Sequence, residues 1–256
     1  MPRVATYHDL EGRSVFITGG GSGIGASLTD GFVEQGCRVA FVQRSDAEDF
    51  AADLGARHGN RPLFIRCDVT NIDALQGAMH RAAEAHGPIT VLVNNAANDA
   101  RHPVQGYSVE AWDQAQAVNL RPHFFTVQAA APGMKAAGGG AVINYSSISY
   151  LMGAEGYLSY VAAKAGITGL TYGFARTLGP DNIRVNAILP GAVLTERQLE
   201  LWVTPDDARD FLERQCLKES LHPPDLVHPT LFLASKASRM ITGQVLVVDG
   251  GVVHAS

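Results

Sequence analysis

Seven short runs rich in apolar and β-branched residues punctuate this chain, and most are separated by segments long enough to be helices. The runs are SVFIT (14–18), RVAFV (38–42), LFIRC (63–67), ITVLVN (89–94), AVINYS (141–146), RVNAIL (184–189) and VLVVD (245–249). Most are continuously apolar, the pattern of a strand covered on both faces. Helix-length segments fall at 23–36, 46–58, 71–86, 108–137 and 157–178. One strand per helix demands right-handed βαβ crossovers. The expected fold class is therefore α/β: a single doubly wound domain over 1–256, with a seven-stranded parallel sheet and helices on both faces. The stretch 190–240 breaks the rhythm. It predicts a small helical insertion near 195–220 (192–222 with its flanks), where substrate specificity and mobility are expected.

Composition narrows the partners. A chain of 256 residues, 46% hydrophobic and 18% charged, can fill one large core. A net charge of −5 with no basic run points away from nucleic acid and from anionic membranes. No apolar run approaches membrane-spanning length, and the start MPRVATYHDLEGR lacks the apolar core of a signal peptide. A cytoplasmic protein is expected. Cys37, Cys67 and Cys216 are too scattered for a zinc cluster, and Cys37 and Cys67 read as buried free thiols. The nine histidines are dispersed; His102, His123 and His228 read as surface or packing residues, and no metal site is expected.

TGGGSGIG (18–25) follows the first strand and opens a helix. Glycines there let the backbone turn tightly and approach a pyrophosphate, and the helix N-terminus offers free N–H groups. In the first βα turn of an α/β chain this is a dinucleotide site, assigned to Gly19, Gly21, Ser22, Gly23, Ile24 and Gly25. The second strand ends in Gln43, Arg44 and Ser45, where a carboxylate would bind the adenosine ribose and exclude a phosphate. Losing that carboxylate and gaining a guanidinium favours NADP, with NAD the alternative. Asp46 can fold back toward the ribose, and Arg44 can equally stand as a solvated loop charge.

Tyr160 and Lys164 are one helical turn apart in YLSYVAAK. A phenol with a pKa of about 10 is a poor base at neutral pH, but nearby cations stabilise its phenolate. Lys164 and an oxidised nicotinamide ring would be two such cations. That arrangement suits alcohol oxidation, in which the phenolate takes the hydroxyl proton as hydride leaves carbon. Ser147 follows the fifth run, thirteen residues before Tyr160, at the strand end where ligands bind such sheets.

The TGxxxGxG turn, the Ser147–Tyr160–Lys164 spacing, Asn119 in AVNL, NNAA (94–97) and PGAVLT (190–195) together resemble the classical short-chain dehydrogenase/reductase family, from Gly12 to Gly251. The resemblance implies a Rossmann fold, a homotetramer, and catalysis by Ser147, Tyr160, Lys164 and Asn119, the asparagine helping to hold a proton-relaying water. It implies cofactor contacts from Asp68 and Val69 to adenine, and from Asn95, Ala96 and Ala97 beside the ribose. Near the nicotinamide it implies Pro190, Gly191, Val193 and Thr195. Ala97 departs from the family's glycine.

NDARH (98–102), VNLRPHFF (118–125), APGMKAAGGGAVIN (131–144), LGPDNIRV (178–185), TERQ (195–198) and QCLK (215–218) resemble bacterial aldose 1-dehydrogenases. That implies oxidation of a sugar's anomeric hydroxyl to a lactone. Polar candidates for a sugar pocket are Asn98, Asp99, Ser149, Tyr150, Glu155, Tyr157, Gln198 and Trp202. NYSSISYLMG places Tyr145, Ser146 and Tyr150 where NFGSISW stands in relatives, so the sugar stays open. A sugar acid or another polyol is an alternative substrate, as is reduction of a 3-oxoacyl or other keto group; a non-catalytic dinucleotide sensor is a third class.

Overall fold

The computed structural model describes residues 5–253; the first four residues of the amino-terminal stretch lie outside the described residues. All seven expected strands form: β1 (Ser14–Thr18), β2 (Arg38–Gln43), β3 (Leu63–Arg66), β4 (Val91–Asn94), β5 (Gly140–Tyr145), β6 (Ile183–Pro190) and β7 (Val245–Val248). They make one parallel sheet in the order β3-β2-β1-β4-β5-β6-β7. The order reverses between β1 and β4, and the crevice at such a switch point is where doubly wound sheets bind ligands.

The alternation of side chains along each strand builds two cores. Val15, Ile17, Phe41 and Val93 face one layer with Leu28 and Phe32 of α1 (Gly23–Glu34) and Leu54 of α2 (Glu48–His58). Phe16, Val42, Leu92 and Val142 face the other, with Leu75 and Met79 of α3 (Ile72–His86). Both faces of β1 and β4 are buried, which explains their unbroken apolar runs.

The expected helix over 108–137 is two helices, α4 (Val109–Asn119) and α5 (Arg121–Ala136). Leu120 breaks the line at φ −123°, ψ −52°, and Pro122 stands in the first turn of α5, where its missing N–H costs nothing. The helix α6 (Leu158–Leu178) carries Tyr160 and Lys164. The insertion is helical as expected, with α7 (Glu196–Leu201) and α8 (Pro205–Arg214). The irregular stretch nevertheless ends earlier than 240. Helix α9 (Val227–Ala234) buries Thr230, Leu231 and Leu233 against α1 and β5, as part of the layer covering the sheet. No helix of the described residues is long and apolar enough to cross a membrane, and among them no cluster fit for a metal occurs.

Candidate active site

The glycine turn is built for close backbone approach. Gly19 (φ +69°) and Gly23 (φ +52°) lie in the left-handed region, and a Cβ on Gly25 would overlap the Gly19 carbonyl oxygen. Ser22 stands at the N-cap of α1 without a side-chain cap bond, so first-turn N–H groups are left for an anion. Gly21 packs its backbone against the Gln43 amide, supporting the turn from behind. Gly19, Ser22 and Gly25 line a groove of about 370 Å³ that runs to Gln43, Arg44, Ser45, Asp68 and Val69. These residues fit a dinucleotide: a glycine cradle for the pyrophosphate, and beyond it a ribose end with amide and guanidinium groups.

At that end Asp46 does not fold back. Its Oδ1 accepts the Glu48 N–H at 3.0 Å and so caps the start of α2. The Asp68 carboxylate accepts from the Thr70 N–H (2.9 Å) and hydroxyl (2.8 Å). The Thr70 amide hydrogen bond above all holds Asp68 below the usual carboxylate range, against desolvation, with the Thr70 hydroxyl and the Arg44 charge helping by less. Asn95 is tied by its side chain to the Thr18 and Gly19 carbonyls (3.1 Å each). Its neighbour Asn94 is buried, bonded to Asn144 and Thr126 and absent from both cavities.

The groove shares Ile24, Asn95, Ala97 and Thr195 with a second cavity of about 540 Å³. This one brings together Ser147, Tyr160 and Lys164, with Pro190, Gly191 and Val193 along its wall. Tyr160 and Lys164 lie on one face of α6; the ammonium is 5.2 Å from the Tyr160 ring centroid and donates to the Tyr145 carbonyl at 2.7 Å. Lys164 is 1% exposed, and burial, partly offset by the charge of Asp99, lowers its pKa to about 7. The Tyr160 phenol moves the other way from the expected one. Desolvation chiefly, then the charges of Asp99 and Tyr157, push its pKa up; a hydrogen bond with the Ser147 hydroxyl and the Arg101 charge pull it down by less. With Lys164 turned to a carbonyl, the protein alone leaves Tyr160 a phenol.

Asn119 is 1% exposed and fully committed: its Oδ1 accepts the Asn98 N–H (2.8 Å), and its Nδ2 donates to the carbonyls of Asn98 (2.9 Å) and Ala115 (3.0 Å). It fixes the loop after β4 to α4. Asn98 itself lies on the groove side, its Oδ1 accepting from Arg197.

Of the other polar candidates, Asp99, Ser149, Glu155, Tyr157, Gln198 and Trp202 line the larger cavity. Gln198 Nε2 is held by Asp99 at 2.6 Å. Thr195 caps α7 through the Gln198 N–H (3.2 Å) while lining both cavities. Tyr150 is not brought in; its hydroxyl accepts from Thr168 and its ring packs against the Ile148, Ala187 and Leu189 cluster. The sequence reading missed Arg101, whose guanidinium lies 3.7 Å from the Tyr157 ring centroid and 5.7 Å from that of Trp202. It also missed Phe211 and Arg214 of α8. No local pattern marked any of the three. Two buried polar atoms on the cavity-lining residues, Ser149 Oγ and Trp202 Nε1, have no partner among the described residues.

A family model described as enoyl-(acyl carrier protein) reductase matches residues 19–253. A protein named as a probable galactose dehydrogenase of Rhizobium meliloti is 48% identical over 248 residues, 96% of this chain and 97% of that protein. A D-xylose 1-dehydrogenase of Caulobacter vibrioides is 45% identical over 248 residues, covering 96% and 98%. A crystal structure from Sinorhizobium meliloti, assigned to the short-chain alcohol dehydrogenases, superposes with a TM-score of 0.91 at 32% identity, covering 96% and 98%.

Proposed function

The chain belongs to the short-chain dehydrogenase/reductase family, and we propose that it oxidises the anomeric hydroxyl of an aldose to the lactone, with NADP preferred to NAD. The observation that carries the sugar is the polar lining of the cavity that holds Ser147 and Tyr160: Asp99, Arg101, Glu155, Tyr157 and Gln198 stand around it. Carboxylate, guanidinium, phenol and amide groups match the hydroxyl array of a polyhydroxylated substrate, whereas an apolar chain would leave them without partners. The galactose- and xylose-acting names of the relatives support the same class.

In this reading the bound nicotinamide supplies a hydride acceptor and a positive charge. Ser147 holds the substrate oxygen; Tyr160, a phenol in the protein alone, would first give up its proton under the cofactor's positive charge and then, as the phenolate, take the hydroxyl proton as the C–H bond breaks. Lys164, on the same face of α6, passes between protonated and neutral forms near pH 7 and so can relay that proton outward. Asn119 keeps the loop after β4 in place through its two bonds with Asn98. Gln43 and Arg44, with Asp46 turned away to cap α2, support recognition of a 2′-phosphate.

Aldoses offered with NADP and with NAD at mildly alkaline pH should yield reduced cofactor, fastest with a pentose or hexose. Reduction of a β-ketoacyl thioester with no aldose oxidised would overturn the sugar assignment. Tyr160→Phe should lower kcat by about 10²–10⁴-fold while NADP binding by calorimetry persists. Near-normal turnover in that variant would remove Tyr160 from the role.

A further inference from the structure

We infer that His102 is a positioning residue for the substrate cavity: its Nε2 lone pair caps the start of the helix carrying Tyr160, and so ties to that helix the loop that presents Asp99 and Arg101. The inference rests on the dehydrogenase reading of the cavity but not on which sugar enters it.

Helix α6 begins without a cap of its own. Tyr157 occupies the N-cap position and makes no side-chain cap bond. The N–H of Ser159, one of the orphan donors of the first turn, points instead to His102 Nε2 at 3.2 Å. An amide N–H can only donate, so Nε2 is the acceptor and the ring proton resides on Nδ1, which donates to the Pro103 carbonyl at 3.0 Å. The Ser159 hydroxyl lies 2.9 Å from the same nitrogen. A neutral imidazole thus does, from 57 residues away, what a capping serine or aspartate does locally. An imidazolium would lose the lone pair and put positive charge at the positive end of the helix dipole.

The clamp is reinforced on every side. The His102 N–H donates to the Gly156 carbonyl at 2.8 Å. Its ring stacks on Tyr107, with centroids 3.7 Å apart and planes at 15°. The Tyr107 hydroxyl lies 3.2 Å from Ser159 Oγ and bonds the Ala111 carbonyl at 3.1 Å. Gln116 of α4 donates to the Ser159 carbonyl at 2.9 Å. Ser159, 2% exposed, is therefore the node where the β4–α4 loop, α4 and α6 meet. Tyr160 is its next residue, and Arg101 and Asp99 stand just before His102 on the loop. The cap holds the two walls of the cavity in one register.

The test compares His102→Ala with His102→Gln, whose Oε1 can still accept the Ser159 N–H. In the full-length protein, hydrogen exchange at the Ser159 amide should quicken about tenfold in His102→Ala and stay near wild type in His102→Gln. With D-galactose or D-xylose and NADP, KM for the sugar should rise about tenfold in His102→Ala and recover in His102→Gln. The Kd for NADP, measured by calorimetry, should stay within about twofold. Unchanged exchange, a glutamine variant as impaired as alanine, or a loss confined to kcat and NADP affinity would each overturn the inference. If His102→Ala does not fold, Tyr107→Phe should raise the sugar KM about two- to threefold; no change there overturns it equally. Should the wild type oxidise neither sugar, the aldose reading fails, while the exchange comparison still decides whether His102 caps α6.

Discussion

At His123 a titratable ring is sealed into the first turns of α5 at 2% exposure, with no more than a weak contact to the Asn94 backbone for its nitrogens. Burial first, then the Lys164 charge, lowers its pKa to about 3 against a smaller opposing contact with the Asn94 backbone. The unfolded chain, with an ordinary value near 6.5, binds more protons than the fold between about pH 3 and 6.5. Stability therefore rises with pH across that window and is lost as pH falls through it. His123→Leu should move the acid-unfolding midpoint, followed by circular dichroism, to lower pH; an unmoved midpoint would contradict this. The sequence left His123 as either a surface or a packing residue; the structure makes it packing, and how little its ring is bonded was not legible. The sequence was one-sided about Tyr160. The four-residue spacing to Lys164 was legible because a helix repeats every 3.6 residues. The direction of the phenol's pKa was not, since it depends on burial and on Asp99, a residue 61 positions away by sequence, and on the Tyr145 carbonyl that takes the ammonium.

Between elements, the main ties over the cavity are those from α7 to the loop after β4. Gln198 Nε2 reaches Asp99 at 2.6 Å, while Arg197 reaches Asn98 at 2.9 Å and Asp99 at 3.8 Å. The Arg197–Asp99 pair is half-exposed on the arginine side and contributes little by itself. The Gln198–Asp99 bond is part-buried and carries more of the closure. Gln198→Ala should raise the sugar KM about three- to tenfold and speed limited proteolysis within 196–214, with kcat little altered; a fall in kcat alone would place Gln198 elsewhere in the chemistry. Asn98 and Gln198 were both read from sequence as sugar contacts. Their nature as polar residues near the site was legible, but their engagement with partners about a hundred positions away was not, because no local periodicity encodes such contacts. The split of 108–137 at Leu120 had a local sign in Pro122, which fits a helix's first turn as readily as it interrupts one.

Across the whole molecule, groove and cavity form one trough along the carboxyl ends of the strands, joined at Ile24, Asn95, Ala97 and Thr195. A dinucleotide lying in it would touch both halves of the sheet, so binding should stabilise the entire fold. At 100 times Kd, NADP should contribute about 2.7 kcal/mol, visible as a rise in Tm larger than the rise with equal NAD. Arg44→Ala should abolish that difference; an equal loss with both cofactors would refute a phosphate contact. The seven-stranded parallel sheet and the glycine turn were readable from the sequence because strands, crossovers and tight turns obey local rules; the strand order was not. The insertion was readable as helical, but the contact that fastens it was not. Its two ends meet in a single parallel bridge between Val193 and Leu221, with the Leu194 N–H donating to the Leu221 carbonyl at 2.8 Å. Seen as engineering, that bridge is a pair of fixed posts. The span between them carries Gln198, Trp202, Phe211 and Arg214 to the cavity and Thr195 to both compartments, so the two posts set where that wall of the trough stands.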